Sequence, residues 1–178
     1  MSSLEYIIDA VRTSVSAVDQ IAVEKLIDHI ISSRVIFVYG SGRSGLSGQS
    51  FCVRLVQMGL DVHFVGEMTT PIITKDDLTI LISNTGNTMS AVQTANIARR
   101  IGSKVISVTA HPDTKLTAAS DIVILLPPAK DKDKSKYAPL GTIFEEASNL
   151  FFDSIVPKIM ERLNITESDM RKRHAIWV

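Results

Sequence analysis

Five short apolar runs, rich in β-branched residues and interleaved with segments of helical periodicity, constrain this chain more than any other feature. They are Val35–Tyr39 (VIFVY), Asp61–Val65 (DVHFV), Asp77–Ser83 (DLTILIS), Lys104–Thr109 (KVISVT) and Asp121–Leu126 (DIVILL). Most are apolar throughout rather than alternating, the pattern of strands buried on both faces. Strands that alternate with helices close a parallel sheet covered on both sides, so the expected fold class is α/β, an open doubly wound αβα sandwich of five strands with flavodoxin-like topology. Ligands of such sheets bind beyond the carboxyl ends of the strands, where the connections change direction.

The intervening segments fit this plan. Leu46–Met58 reads as a helix ending at Gly59, and Thr88–Ile101 as a helix closed by Gly102. A short helix is expected over Thr114–Ala119. Ahead of the sheet, Ile7, Val11, Val15 and Val18 recur at helical spacing, and a second helix opens near Asp19. Behind it, Gly141–Leu163 is a long helix with Phe144, Ala147, Phe151 and Ile155 near one face and Leu150, Phe152, Val156 and Ile159 round the rest. An apolar circumference of that kind points to burial on more than one side and to a subunit interface. A last helix has Thr166 as its N-cap and Asp169 three residues on. The chain thus reads as one domain, with N-terminal helices over 1–33, an α/β core over 34–126 and C-terminal helices over 141–178. The charged stretch PPAKDKDKSKYAP, from Pro127 to Pro139, is expected to be a solvated loop, or a lid over the site.

Charge narrows the functions. Lysine plus arginine equal aspartate plus glutamate at 19 each, so no global basic field serves nucleic acid and an anionic ligand needs a local site. No apolar run approaches the ~20 residues that span a bilayer. The N-terminal MSSLEYIIDAVRTS lacks the basic start and cleavage site of a signal peptide, and a cytoplasmic protein is expected. The single cysteine, Cys52, sits in an apolar helical stretch and reads as a small buried hydrophobe.

Two loops offer such a local site. GSGRSG, from Gly40 to Gly45, follows the first strand and spells G-x-G-x-x-G, the pattern of a dinucleotide-binding loop. Its glycines allow tight turns, and the helix start beyond supplies free N–H groups and a positive dipole end, which suits any phosphate. A dinucleotide also asks for an acid about 20 residues on; Glu67 is the nearest candidate and lies further along. The second loop, SNTGNT from Ser83 to Thr88, packs three hydroxyls, two amides and a glycine between a strand and a helix. Hydroxyl donors beside a helix start form a pocket for a terminal phosphate dianion. With little chain left for a separate substrate domain, a sugar phosphate fits better than a dinucleotide.

The loop pair resembles that of the sugar isomerase (SIS) domain family, whose phosphate loop usually runs S-x-S-G-x-T. Within it the chain is similar over nearly its full length to the 6-phospho-3-hexuloisomerases, on GSGRSG (40–45), VGEMTTP (65–71), APLGTIFEE (138–146) and Arg173-His174. One departure is Thr85, where the usual loop has a second serine; threonine keeps the hydroxyl. The resemblance implies reversible conversion of D-arabino-hex-3-ulose 6-phosphate to fructose 6-phosphate through a cis-enediol. That step follows 3-hexulose-6-phosphate synthase in the ribulose monophosphate route of formaldehyde fixation. It also implies a homotetramer built as a dimer of dimers, and no metal or organic cofactor.

Moving a carbonyl to the adjacent carbon needs a base that removes one proton and returns it, a task suited to a partly desolvated carboxylate. The family motif L-G-T-x-F-E puts that glutamate at Glu145; Glu146 lies about 100° further round the helix and cannot face the same pocket equally. The Arg-His match makes His174 the second catalytic candidate, passing a proton between substrate oxygens, and in this family it reaches a neighbouring subunit's site. Substrate and phosphate are expected to meet Gly42, Arg43 and Ser44 in the first loop, Glu67, and Ser83, Asn84, Thr85, Gly86, Asn87 and Thr88 in the second. Arg43 pairs either with an anion or with Glu67. His29, His63 and His111 show no metal-ligand spacing. Rival readings are an isomerase for arabinose 5-phosphate or sedoheptulose 7-phosphate, a non-catalytic sugar-phosphate sensor and a dinucleotide-dependent oxidoreductase.

Overall fold

The computed structural model describes residues 1–129 and 132–176. Lys130 and Asp131 of the charged stretch, and Trp177 and Val178 of the C-terminal segment, lie outside the described residues. Two helices, α1 (Ser3–Ser16) and α2 (Gln20–Ser32), lead into β1 (Ile36–Gly40), α3 (Arg43–Gln57), β2 (Val62–Phe64) and β3 (Leu78–Ile82). The chain continues through α4 (Met89–Ile101), β4 (Lys104–Thr109), α5 (Lys115–Ala118) and β5 (Ile122–Leu125). It ends with α6 (Lys134–Tyr137), α7 (Thr142–Leu163) and α8 (Glu167–Lys172). The five strands form one parallel sheet in the order β2-β1-β3-β4-β5, the α/β architecture expected from the apolar runs.

That order puts the topological switch between β1 and β3. Gly40 and Ile82, the last residues of the two strands, are register partners, so the loops that follow start side by side. The pleat divides the side chains between two cores. Ile36, Val38, Leu78, Ile80, Ile82, Ile106, Val108 and Ile124 join the larger one with α1, α2, α3 and α7. Leu81 and Val105 face the smaller one, closed by Ala91, Val92, Ala95 and Ala98 of α4 with Leu116 of α5. Small alanines on α4 let it lie close to the sheet.

Helix α3 starts three residues before the expected Leu46, because Gly42 takes a positive φ of 58° and turns the chain straight into the helix at Arg43. It also lies unusually close to β1. A Cβ on Gly45 would sit 2.4 Å from the carbonyl oxygen of Gly40, and one on Gly40 would sit 2.8 Å from the amide nitrogen of Gly45. The first and last glycines of G-x-G-x-x-G are therefore explained by each other.

The expected loop before α7 is partly helical. Tyr137 of α6 packs its ring on Tyr6 of α1, centroids 5.4 Å apart, and Ala138 is fully buried. That local burial orders a stretch whose charge pattern reads as loop. The apolar circumference of α7, which pointed to a subunit interface, is largely used within the chain. Phe152 stacks on Phe51 of α3 at 4.2 Å, Ile159 is buried in the same core as α1 and α2, and only Leu150 among the named residues is left exposed. On the α2 side Lys158 pairs with Glu24 at 2.9 Å, and Arg162 pairs with both Glu24 and Asp28. These partly exposed ion pairs fix how the helices dock more than they add stability.

Gly45→Ala is expected to lower unfolding stability by about 2 kcal/mol or more, since the added methyl meets backbone that cannot step aside. The midpoint of urea unfolding measures this.

Candidate active site

Three helices begin at the switch point, and none is capped by its own side chain. The N-caps of α3, α4 and α7 are Gly42, Thr88 and Gly141, each without a side-chain hydrogen bond to the first turn. Elsewhere α1, α2, α5 and α8 are capped by Ser2, Asp19, Thr114 and Thr166, and the single turn α6 has no side-chain cap. Free N–H groups at α3 and α4 thus remain at the carboxyl ends of β1 and β3, where an anion would complete them.

The second loop is stiffened from within. Ser83 is buried, with Oγ 3.0 Å from Thr88 Oγ1 and accepting the Gly86 N–H at 3.2 Å. Gly86, at φ 62°, packs so tightly on Thr114 that a Cβ would meet its hydroxyl at 2.3 Å. The Asn84 carbonyl accepts the Ala110 N–H at 3.1 Å and the Thr109 hydroxyl at 3.3 Å. Asn87 is turned away from the crevice: its amide donates to the Thr85 carbonyl at 3.2 Å and its oxygen accepts the Lys115 N–H at 3.3 Å. Thr85 Oγ1 accepts the Asn87 N–H at 3.2 Å. So Ser83, Gly86 and Asn87 shape the loop, while the Asn84 amide and the exposed Thr85 are its outward-facing groups.

Glu145 stands in the first turn of α7, its side chain only 13% exposed. Its carboxylate accepts a hydrogen bond from Arg43 Nε across the gap between α3 and α7, and this contact holds the guanidinium above its already high ordinary range. Arg43 Nη2 also lies 3.9 Å from Glu146, whose side chain is 48% exposed. Arg43 therefore pairs with the α7 acids and not with Glu67. Gly141 makes room for this arrangement. A Cβ there would lie 2.8 Å from Glu145 Oε1 and 3.3 Å from the Asn84 amide nitrogen. The carboxylate, the Asn84 amide of the second loop and the Arg43 guanidinium of the first thus meet at one place. Beside them a polar cavity of about 270 Å³ is lined by Arg43, Leu46, Ser47, Ser50, Glu145 and Asn149. Ser44, in the first turn of α3, is half-buried. Sequence reasoning did not single out Gly141; its signal was a glycine four residues before an acid at a helix start.

The remaining two candidates lie elsewhere. Glu67 and His174 line a second, mostly apolar cavity of about 570 Å³, with Cys52, Val53 and Val56 of α3 and the Arg173 side chain. His174 Nδ1 is 3.0 Å from the Ala175 carbonyl oxygen, and no hydrogen bond or ion pair joins it to Glu145 among the described residues. One chain therefore brings together Arg43, Asn84 and Glu145, and separately Glu67 and His174. Of the other histidines, His63 sits 3.0 Å from Asp61, and burial pushes His29 below its ordinary range. Among the described residues no three His, Cys, Asp or Glu gather as a metal site requires, and no helix is long and apolar enough to cross a membrane. Burial, then the nearby Glu67, pushes the Cys52 thiol up to about 12.

Known proteins resemble this chain over most of its length. The SIS domain profile matches residues 29–144. A Methanocaldococcus jannaschii protein named 3-hexulose-6-phosphate isomerase is 43% identical over 151 residues, 85% of this chain and 81% of that protein. One of the same name from Bacillus subtilis is 35% identical over 182 residues, covering 98% of each chain. A solved Methanococcus jannaschii structure, described as inferring a molecular function of 3-hexulose-6-phosphate isomerase, superposes with a TM-score of 0.86 at 37% identity. It covers 96% of this chain and 98% of that one.

Gly141→Ala is expected to displace the Glu145 carboxylate while sparing the fold, because the added methyl meets the flexible end of a side chain. Any reaction that depends on Glu145 should slow about tenfold or more with the melting temperature shifting by no more than about 2 °C, read by activity and calorimetry. With its thiol near 12, Cys52 has about one molecule in ten thousand ionised at pH 8. Iodoacetamide at that pH should label it slowly in the folded protein and promptly after unfolding, as mass spectrometry would show.

Proposed function

This chain belongs to the SIS domain family, and we propose that within it the chain is an isomerase interconverting D-arabino-hex-3-ulose 6-phosphate and fructose 6-phosphate. The observation that carries the reading is Glu145: a carboxylate mostly withdrawn from water, beside the Asn84 amide and beneath two uncapped helix N-termini. Similarity to proteins named for this activity over most of both chains supports the choice of sugar.

In this mechanism the phosphate dianion rests on the first turns of α4 and α3, with the Asn84 amide, the Thr85 and Thr88 hydroxyls and Ser44 around it. The N–H groups there have no competing side-chain cap, so phosphate replaces water rather than a protein group. Glu145 removes the proton from C2 of the 3-keto sugar. The C–H electron pair becomes the C2–C3 double bond of a cis-enediol, and the C3 oxygen takes up the displaced charge. A proton then passes from the C2 oxygen to the C3 oxygen, and Glu145 returns its proton to C3, leaving the carbonyl at C2. One base on one face serves both carbon transfers.

His174 is the group that relays the proton between oxygens in this scheme. In this proposal the relay comes from a neighbouring subunit of a dimer of dimers, a reading supported by His174 sharing a cavity with Glu67 and not with Glu145. The physiological setting that follows from the substrate is the ribulose monophosphate route in the cytoplasm, downstream of 3-hexulose-6-phosphate synthase.

The test is a coupled assay: formaldehyde, ribulose 5-phosphate and the synthase are supplied, and fructose 6-phosphate is measured with and without the protein. Stimulation is expected; none would overturn the assignment. Glu145→Gln should cut turnover by about a thousandfold while fructose 6-phosphate still binds. Glu146→Gln should stay near the unmodified rate, and the reverse outcome would move the base to Glu146.

A further inference from the structure

We propose that Arg43 is a catalytic residue of this isomerisation: paired with Glu145 in the resting site, its guanidinium is the cation on which the enediolate charge settles when Glu145 takes the proton. The inference rests on the isomerase reading above and assigns Arg43 to the reacting atoms, not to the phosphate.

The geometry separates these two roles. A residue that clamps a phosphate would be turned toward the second loop and the start of α4. Arg43 instead directs Nε to the Glu145 carboxylate and Nη2 toward Glu146, and no other hydrogen bond engages its guanidinium among the described residues. Its side chain is 64% exposed while that of Glu145 is 13% exposed, so the guanidinium is the more open member of the pair. A guanidinium has five N–H donors in a fixed fork, enough to keep one on the carboxylate and offer others to a substrate oxygen.

Charge conservation supplies the rest. At rest the Arg43 cation is hydrogen-bonded to the Glu145 carboxylate, with the more exposed Glu146 at 3.9 Å. When the C2–H bond breaks, the proton goes to Glu145, the electron pair forms the C2–C3 double bond, and the carbonyl pair moves onto the C3 oxygen. Glu145 is then neutral and the negative charge has crossed to the sugar. Arg43 loses one counter-charge and gains the other, provided that the new oxyanion lies within its reach. Beside a carboxylate that is itself mostly withdrawn from water, this interaction strengthens as the reaction proceeds, and so it acts on the barrier rather than on substrate binding. When the proton returns to C3 the pair with Glu145 re-forms and the site is reset.

The experiment compares the unmodified protein with Arg43→Gln and Arg43→Lys, all checked for unchanged melting. Turnover of fructose 6-phosphate is measured first. Calorimetry then gives the affinities for fructose 6-phosphate and for a phosphorylated sugar hydroxamate, whose planar anion mimics the enediolate. For Arg43→Gln, kcat is expected to fall about a hundredfold, the loss typical of one removed oxyanion donor, with KM within about threefold. The unmodified protein should bind the hydroxamate more tightly than fructose 6-phosphate. Arg43→Gln should lose that preference while keeping its affinity for fructose 6-phosphate, and Arg43→Lys should recover part of the rate. A raised KM with unchanged kcat would make Arg43 a ground-state anion binder and overturn the inference. So would an Arg43→Gln protein that keeps the hydroxamate preference. An unmodified protein that neither turns over fructose 6-phosphate nor prefers the hydroxamate overturns the isomerase reading, and this inference with it.

Discussion

The close approach of two backbones, Gly40 at the end of β1 and Gly45 in the first turn of α3, is the contact on which the rest of the site depends. It lets α3 lie flat against the sheet from its first turn. Gly48 continues the approach one turn later, where a Cβ would press on Ile82 and Val38. With those positions empty, Phe51 and Leu55 reach into the core, and Phe51 receives Phe152 of α7. Helix α7 is thereby held against α3 in the alignment that brings Glu145 to Arg43. The glycine pattern resembling a dinucleotide fingerprint records helix–sheet distance, a need common to many ligands.

Most of the fold was legible in the sequence because its strands are continuous apolar runs and its helix ends carry glycine. Local signals fell short where distant segments decide the outcome. The start of α3 depends on Gly42 adopting a positive φ, which a glycine permits but does not announce. The order of α6 depends on Tyr137 meeting a ring on α1. The apolar circumference of α7 was correctly read as buried on several sides, yet the covering surfaces are α1, α2 and α3 of the same chain, and no periodicity tells a chain's own helix from another's. In the site, the second loop could be recognised as a cluster of hydroxyls and amides. Which of them would be consumed internally could not, because Ser83 and Asn87 bond to groups whose positions only the folded loop creates. The Arg43 partner was open between an anion and Glu67 for the same reason: it lies 102 residues away, on another helix.

The caps differ from helix to helix. At α1, α2, α5 and α8 a hydroxyl or carboxylate completes the first turn, a contribution of roughly 1 kcal/mol each, while the single turn α6 has no such cap. At α3, α4 and α7 that contribution is absent, and two glycines stand at the cap positions. The molecule forgoes local stability there and leaves first-turn N–H groups open, and Leu140, just before α7, adds a non-glycine φ of 56°.

The ion pairs between α2 and α7 have a mechanical meaning as well. Arg162, bound to Glu24 and Asp28, anchors α7 near its C-terminal end, while Glu145 is carried near the other. About 25 Å of helix separates Arg162 from Glu145. Treated as a rigid rod pivoting at that anchor, the helix moves the carboxylate about 0.4 Å for a tilt of about 1°, close to the 0.5 Å within which a catalytic group must be held. The aim of Glu145 is therefore set in part by surface charges near the far end of its own helix.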